Sequence, residues 1–160
     1  MTKPRKKYRP KPVFQNPLLV AMQGVRLLSS DDQVLYSLRL SDAVDAVITG
    51  QAKQEQWQQI TDVLNMLDVM AEDPRIMTGA AEFVEGLQWS VTDILDRRKD
   101  GKTALYAPEV QSLRDLVSLW SDVLGDITHR QFFDVQEKVR FRVREALRNG
   151  SPKLRIVEAA

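Results

Sequence analysis

The chain has 160 residues, 43% hydrophobic and 28% charged, with a formal net charge of +1 and no cysteine. These values exclude a disulfide framework, a thiolate nucleophile and any cysteine-containing metal site, and they suit a globule that buries roughly 70% of its unfolded surface. Apolar runs are short, well below the roughly 20 residues that a bilayer-spanning helix requires.

In chain order, residues 1–15 (MTKPRKKYRPKPVFQ) interleave Pro4, Pro10 and Pro12 with positive charge. Each proline removes a backbone donor and pushes its predecessor toward extended geometry, so this segment is predicted to be an extended basic arm. Asn16 followed by Pro17 is a helix-start pair, and predicts a short helix reaching about Leu28. It opens a helical domain over residues 16–150, which leaves 151–160 as a C-terminal tail. Residues 29–32 read as a turn. Val34, Tyr36, Leu38 and Leu40 alternate, a pattern compatible with an extended piece or a helix, so residues 34–40 stay unassigned. Ser41 is predicted to cap a short helix ending at Gly50.

Trp57, Ile60, Leu64, Leu67 and Ala71 recur at helical spacing and predict a helix over residues 53–72. Asp73-Pro74 breaks it. The next helix shows Ala80, Phe83, Val84, Leu87, Val91, Ile94 and Leu95 on one face, and residues 97–101 end it with cations and then a glycine. Pro108 opens a further helix carrying Val110, Leu113, Val117, Trp120, Leu124 and Ile127. Thr128 and Gln131 fit a capping box for a last helix with Phe132, Val135, Val139, Val143 and Leu147, stopped by Asn149-Gly150. Residues 138–144 (KVRFRVR) alternate like a strand, but the longer helical pattern around them decides for helix. The expected fold is all-α, an irregular helical bundle with an extended basic N-terminal arm and a C-terminal helical hairpin.

Chemistry-bearing motifs are sparse. The single histidine, His129, lies three residues after Asp126, but an acid-x-x-His metal site of the bundle type needs a second such pair, which the chain lacks. Glu82, Glu85, Asp93 and Asp96 fall opposite the apolar face of their helix, where a solvated surface explains them better than an acid–base pair. No glycine-rich phosphate loop, GxSxG or HExxH occurs. The reading is therefore a non-enzyme without metal or cofactor.

Two features stand out against that background. Trp89 sits among the four acids just named, opposite the apolar stripe, so either another segment such as the arm with Tyr8 and Phe14 covers it, or it is offered to a partner. Trp57 and Trp120 lie on apolar faces and read as core. The second feature is charge segregation: residues 1–12 hold six cations and no acid, residues 13–137 hold ten basic and twenty acidic groups, and residues 138–160 hold seven basic and two acidic groups. The arm (Lys3, Arg5, Lys6, Lys7, Tyr8, Arg9, Lys11) and the ridge Arg140, Arg144, Arg148 form a candidate phosphate-gripping set. The competing reading pairs both ends with the acidic body, in one chain or between copies. A basic start with no apolar stretch and cleavage site, and the lack of cysteine, predict a cytoplasmic protein.

Residues 6–13 (KKYRPKPV) with Asn16-Pro17, then 109–117 (EVQSLRDLV), 127–131 (ITHRQ) and the basic helix through Arg148, resemble a group of small uncharacterised helical proteins encoded by bacteriophages and prophages. Residues 50–105 do not share the likeness. The resemblance implies a phage-type protein in a bacterial host cytoplasm that regulates or disarms a host factor by binding. The leading expectation is thus a protein-binding, host-modulating helical protein using the Trp89 face, possible also as a homodimer. The alternatives are a nucleic-acid-binding protein using the basic ends and a virion structural or assembly component.

Overall fold

The computed structural model describes residues 25–149, which form five helices: α1 (Ser30–Ile48), α2 (Gln54–Ala71), α3 (Ala81–Lys99), α4 (Ala107–Asp126) and α5 (His129–Asn149). The extended arm and most of the helix expected from Asn16 onward lie outside the described residues, as does the tail. Within them, Arg26–Leu28 do not continue a helix. Leu27 bridges Thr128 in antiparallel fashion, Leu28 N–H donates to Ile127 O at 3.2 Å, and His129 N–H donates to Arg26 O at 2.8 Å. This short extended pairing satisfies backbone groups at the α4–α5 corner, a use that local helix signals do not reveal.

The largest departure from expectation is at the front. Ser29 ends no turn; it caps α1, its Oγ accepting from Asp32 N–H at 3.1 Å, and Ser41 is an interior residue of the same helix. The alternation over residues 34–40 has a simple origin. A two-residue step in a helix turns by about 200°, so Tyr36 and Leu40 face inward while Val34 and Leu38 face out. Leu40 is buried, whereas Val34, Leu35 and Leu38 are exposed. Apolar residues on both sides of one helix imitate a strand.

The remaining boundaries follow the local signals. Lys53 N–H donates to Gln56 Oε1 at the start of α2, Tyr106 N–H donates to Glu109 Oε2 at the start of α4, and Thr128 with Gln131 forms the expected reciprocal cap of α5. Asp73 accepts from the backbone and guanidinium of Arg75 in the break after α2, and these bonds hold its carboxyl at about 2. Gly50, Gly79 and Gly101 take positive φ after α1, before α3 and after α3, where a side chain would be strained.

Helices α1 to α4 form a ring in which α1 packs on α2 and α4, and α3 packs on the same two. Short connections make the neighbours antiparallel. The core between them holds Leu40, Ile60, Leu64, Leu67, Met70, Leu113, Leu116, Trp120 and Leu124. Trp57 and Trp120 are both buried, as their faces predict. The last two helices touch through Trp120 and Phe132, whose rings lie 6.3 Å apart, but α5 packs chiefly on α2, outside the ring. Burial fades along α5: Phe132, Val135 and Val139 are buried, while Leu147, expected on the apolar face, is 62% exposed. A helix with one main neighbour cannot cover its full length.

Between α2 and α3 the core includes two amides, Asn65 and Gln88, and neither Asn65 Oδ1 nor Gln88 Nε2 has a hydrogen-bond partner among the described residues. A buried polar group left unpaired destabilises. Gln88→Met, which keeps the volume and removes the amide, is expected to be neutral or to stabilise by up to about 1 kcal/mol. Urea denaturation of the variant checks it, and a clear loss of stability would show that the amide is bonded in solution.

Candidate functional site

Helix α3 buries Val84, Leu87, Gln88, Val91, Ile94 and Leu95, and turns its opposite side outward. On that side Glu82, Glu85, Asp93 and Asp96 are exposed, with Trp89 at 53%. Asp96 is engaged by Lys99 at 3.1 Å. The structure thus brings together the five residues singled out from the sequence. It also adds one, because Phe83, expected in the core, is 48% exposed. At about 100° per residue, Phe83 falls just outside the buried arc, in the first turn of α3.

Gly86 lies midway between the two aromatics, three residues from each. A Cβ there would meet nothing within 4 Å. A glycine in a helix interior costs about 1 kcal/mol relative to alanine, and no contact among the described residues requires it. The face therefore consists of two exposed rings either side of a flat backbone floor, rimmed by carboxylates. Sequence reading found the tryptophan because it opposes the apolar stripe. It missed Phe83 because a residue at the stripe's edge looks the same whether covered or not.

The second candidate surface is on α5. Arg140, Arg144 and Arg148 are all exposed, so the ridge exists. Arg140 is held by Glu137 at 2.6 Å, whereas Arg144 and Arg148 make no ion pair among the described residues. Arg142, between Arg140 and Arg144 in the chain, points instead to the end of α2 and clamps Glu72 through both terminal guanidinium nitrogens, at 2.9 and 2.5 Å. Phe133 and Phe141 are 57% and 59% exposed on the same outward side. These two were missed because Phe132 and Val139 beside them carried the expected stripe. The arm residues Lys3, Arg5, Lys6, Lys7, Tyr8, Arg9 and Lys11 lie outside the described residues.

A groove of about 380 Å³ between α2 and α5 is lined by Met66, Val139 and Val143 together with Arg140, Arg144 and the carboxylate of Asp62. Asp126 and His129 are exposed, and no group of three or more metal-ligating side chains occurs among the described residues. The chain matches no family model, no curated protein and no solved structure. No described helix is long and apolar enough to cross a membrane. The described surface thus carries exposed aromatic rings in two patches, one acidic on α3 and one basic on α5.

Proposed function

We propose that this chain is a non-enzymatic, phage-type regulatory or host-modulating protein that works by binding a protein partner through the outward face of α3. The observation that carries this reading is the exposure of Trp89 and Phe83 on either side of Gly86, on a helix whose other side is fully committed to the core. Tryptophan is enriched among residues that dominate interface energetics, and such anchors usually sit centrally with polar groups around them. The carboxylates of Glu82, Glu85, Asp93 and Asp96 supply that rim. They favour a partner surface that is basic and apolar, and they steer its approach. The resemblance of residues 6–13, 109–117 and 127–131 to phage-encoded proteins supports a bacterial cytoplasm as the setting of this activity.

Trp89→Ala is expected to leave the helical circular dichroism and the unfolding midpoint close to wild type, while reducing partner affinity by tenfold or more, corresponding to a hot spot of about 2 kcal/mol. The measurement is capture from a bacterial lysate on both forms, followed by titration of the captured component after purification. Equal affinity for the two forms, or an unfolded variant, would remove the α3 face from consideration.

One observation favours a second reading, nucleic-acid binding: Phe133 and Phe141 are exposed on the side of α5 that carries Arg140, Arg144 and Arg148. Cations that neutralise phosphates and rings that stack on bases are the two parts of a single-strand binding surface. Titration of labelled single- and double-stranded DNA and RNA at two salt concentrations tests it. Binding that fails at low salt, or that ignores salt, would eliminate it.

A further inference from the structure

The α3 face is acidic, whereas the α2–α5 groove carries Arg140 and Arg144 against a single carboxylate, Asp62. One presents the half-exposed Trp89 ring among Glu82, Glu85 and Asp93, and the other presents apolar atoms of Met66, Val139 and Val143 beside Arg140 and Arg144. A helix that presents one large ring, Trp89, beside the bare backbone of Gly86 is the convex half of a helix-in-groove contact, and a groove of about 380 Å³ accommodates that ring. The two halves cannot meet within one molecule. Helices α3 and α5 each pack on α2 and do not pack on one another, so both surfaces are fixed in place and face outward at once.

We infer that the α3 face of one copy docks into the α2–α5 groove of a second copy, with Trp89 as the anchor and Glu82 and Asp93 against Arg140 and Arg144. This rests on the α3 face being a protein-binding surface and names its partner as the same chain. The contact is heterologous: each copy keeps one unused face and one unused groove, so association proceeds head to tail into a ring or an open filament rather than stopping at a symmetric dimer. Its charge pairs lie at a solvent-accessible rim, so association weakens as salt rises.

The experiment is sedimentation velocity on the full-length chain across a wide concentration range at low and high salt. The wild type is expected to form species larger than a dimer at low salt, and these shift to monomer at high salt. Two variants block opposite halves: Glu82→Arg/Asp93→Arg on the face and Arg140→Glu/Arg144→Glu on the groove. Each alone is expected to be monomeric with wild-type helicity. Because the face variant keeps a native groove and the groove variant keeps a native face, their equimolar mixture is expected to form a one-to-one complex and nothing larger. Gly86→Ala is expected to stabilise the monomer while weakening association, since only a close partner needs the missing Cβ.

A wild type that stays monomeric throughout overturns the inference. So does a symmetric dimer that neither variant disrupts, or a mixture of variants that stays monomeric. If the wild type is monomeric but Trp89→Ala still loses a captured protein, the α3 face stands and only self-association falls. If the wild type is monomeric and Arg140→Glu/Arg144→Glu abolishes salt-sensitive DNA or RNA binding, the groove side belongs to nucleic acid.

Discussion

Trp120→Ala is expected to lower the unfolding free energy by about 3–5 kcal/mol, the upper range for truncating a core side chain. Trp120 is 2% exposed and stands on α4 where that helix meets α1 and α5. Its indole Nε1–H donates to Tyr36 O on α1 at 3.3 Å, and its ring faces Phe132 on α5. Phe132 in turn lies 5.0 Å from Tyr36, so three helices converge on one aromatic cluster. Truncation removes the indole's apolar surface and leaves a cavity that the rigid ring of helices cannot collapse into. It also strips a partner from the Tyr36 carbonyl. Phe132 loses its packing too, so the attachment of α5 should loosen together with global stability. Urea denaturation measures the first effect, and faster amide exchange along α5 measures the second. A variant within about 1 kcal/mol of wild type would mean that the corner repacks.

The second large effect concerns the start of α4, where Glu109 is buried. Glu109 accepts from both terminal nitrogens of Arg97 on α3, at 2.5 and 2.6 Å, and from Tyr106 N–H at 2.9 Å. Arg97 also sits over the Tyr106 ring, 4.6 Å from its centroid. These bonds, the Arg97 bond above all, hold the Glu109 carboxyl below its ordinary value of 4.5 against the opposing pull of burial. The side chain thus caps α4 and ties α3 to it. Glu109→Gln keeps one acceptor but loses the charge, and it is expected to cost about 1–2 kcal/mol, less than for a sealed pair because Arg97 can turn to water.

The sign of the pH dependence follows from the lowered pKa. A carboxyl more acidic in the folded state contributes stability above its unfolded value, and that contribution disappears as pH falls through the folded value. The difference in unfolding free energy between wild type and Glu109→Gln should therefore be full at neutral pH and shrink below the ordinary value of 4.5. A difference that stays constant as pH falls would assign the effect to packing rather than charge.

Much of the architecture was legible in the sequence, since three-and-four spacing and caps report on forces acting within a few residues. Trp57 to Ala71, Val84 to Leu95 and the strand-like residues 138–144 all declared helices because long apolar stripes have one stable way to be buried. The stripe opposite Trp89 also fixes that residue on the outer side of its helix. By contrast, Val34 and Leu38 obscured α1, because an outward apolar residue is indistinguishable in sequence from an inward one. Phe83, Phe133 and Phe141 were invisible as surface residues for the same reason: exposure depends on which helix lies alongside.

The sequence by itself determined the all-α class, the cap of the last helix, the breaks after α2 and α3, the core positions of Trp57 and Trp120, and the acidic setting of Trp89. Each is a local consequence of side-chain period, backbone donors at helix ends and formal charge. Tertiary structure alone decided that Arg26–Leu28 pair with the α4–α5 corner, that Arg142 clamps Glu72 while Arg144 and Arg148 face outward, and that α5 lies on α2 to open a cationic groove. These depend on where separate helices meet, and the burial that drives such meetings is non-directional, so it leaves no periodic mark along the chain.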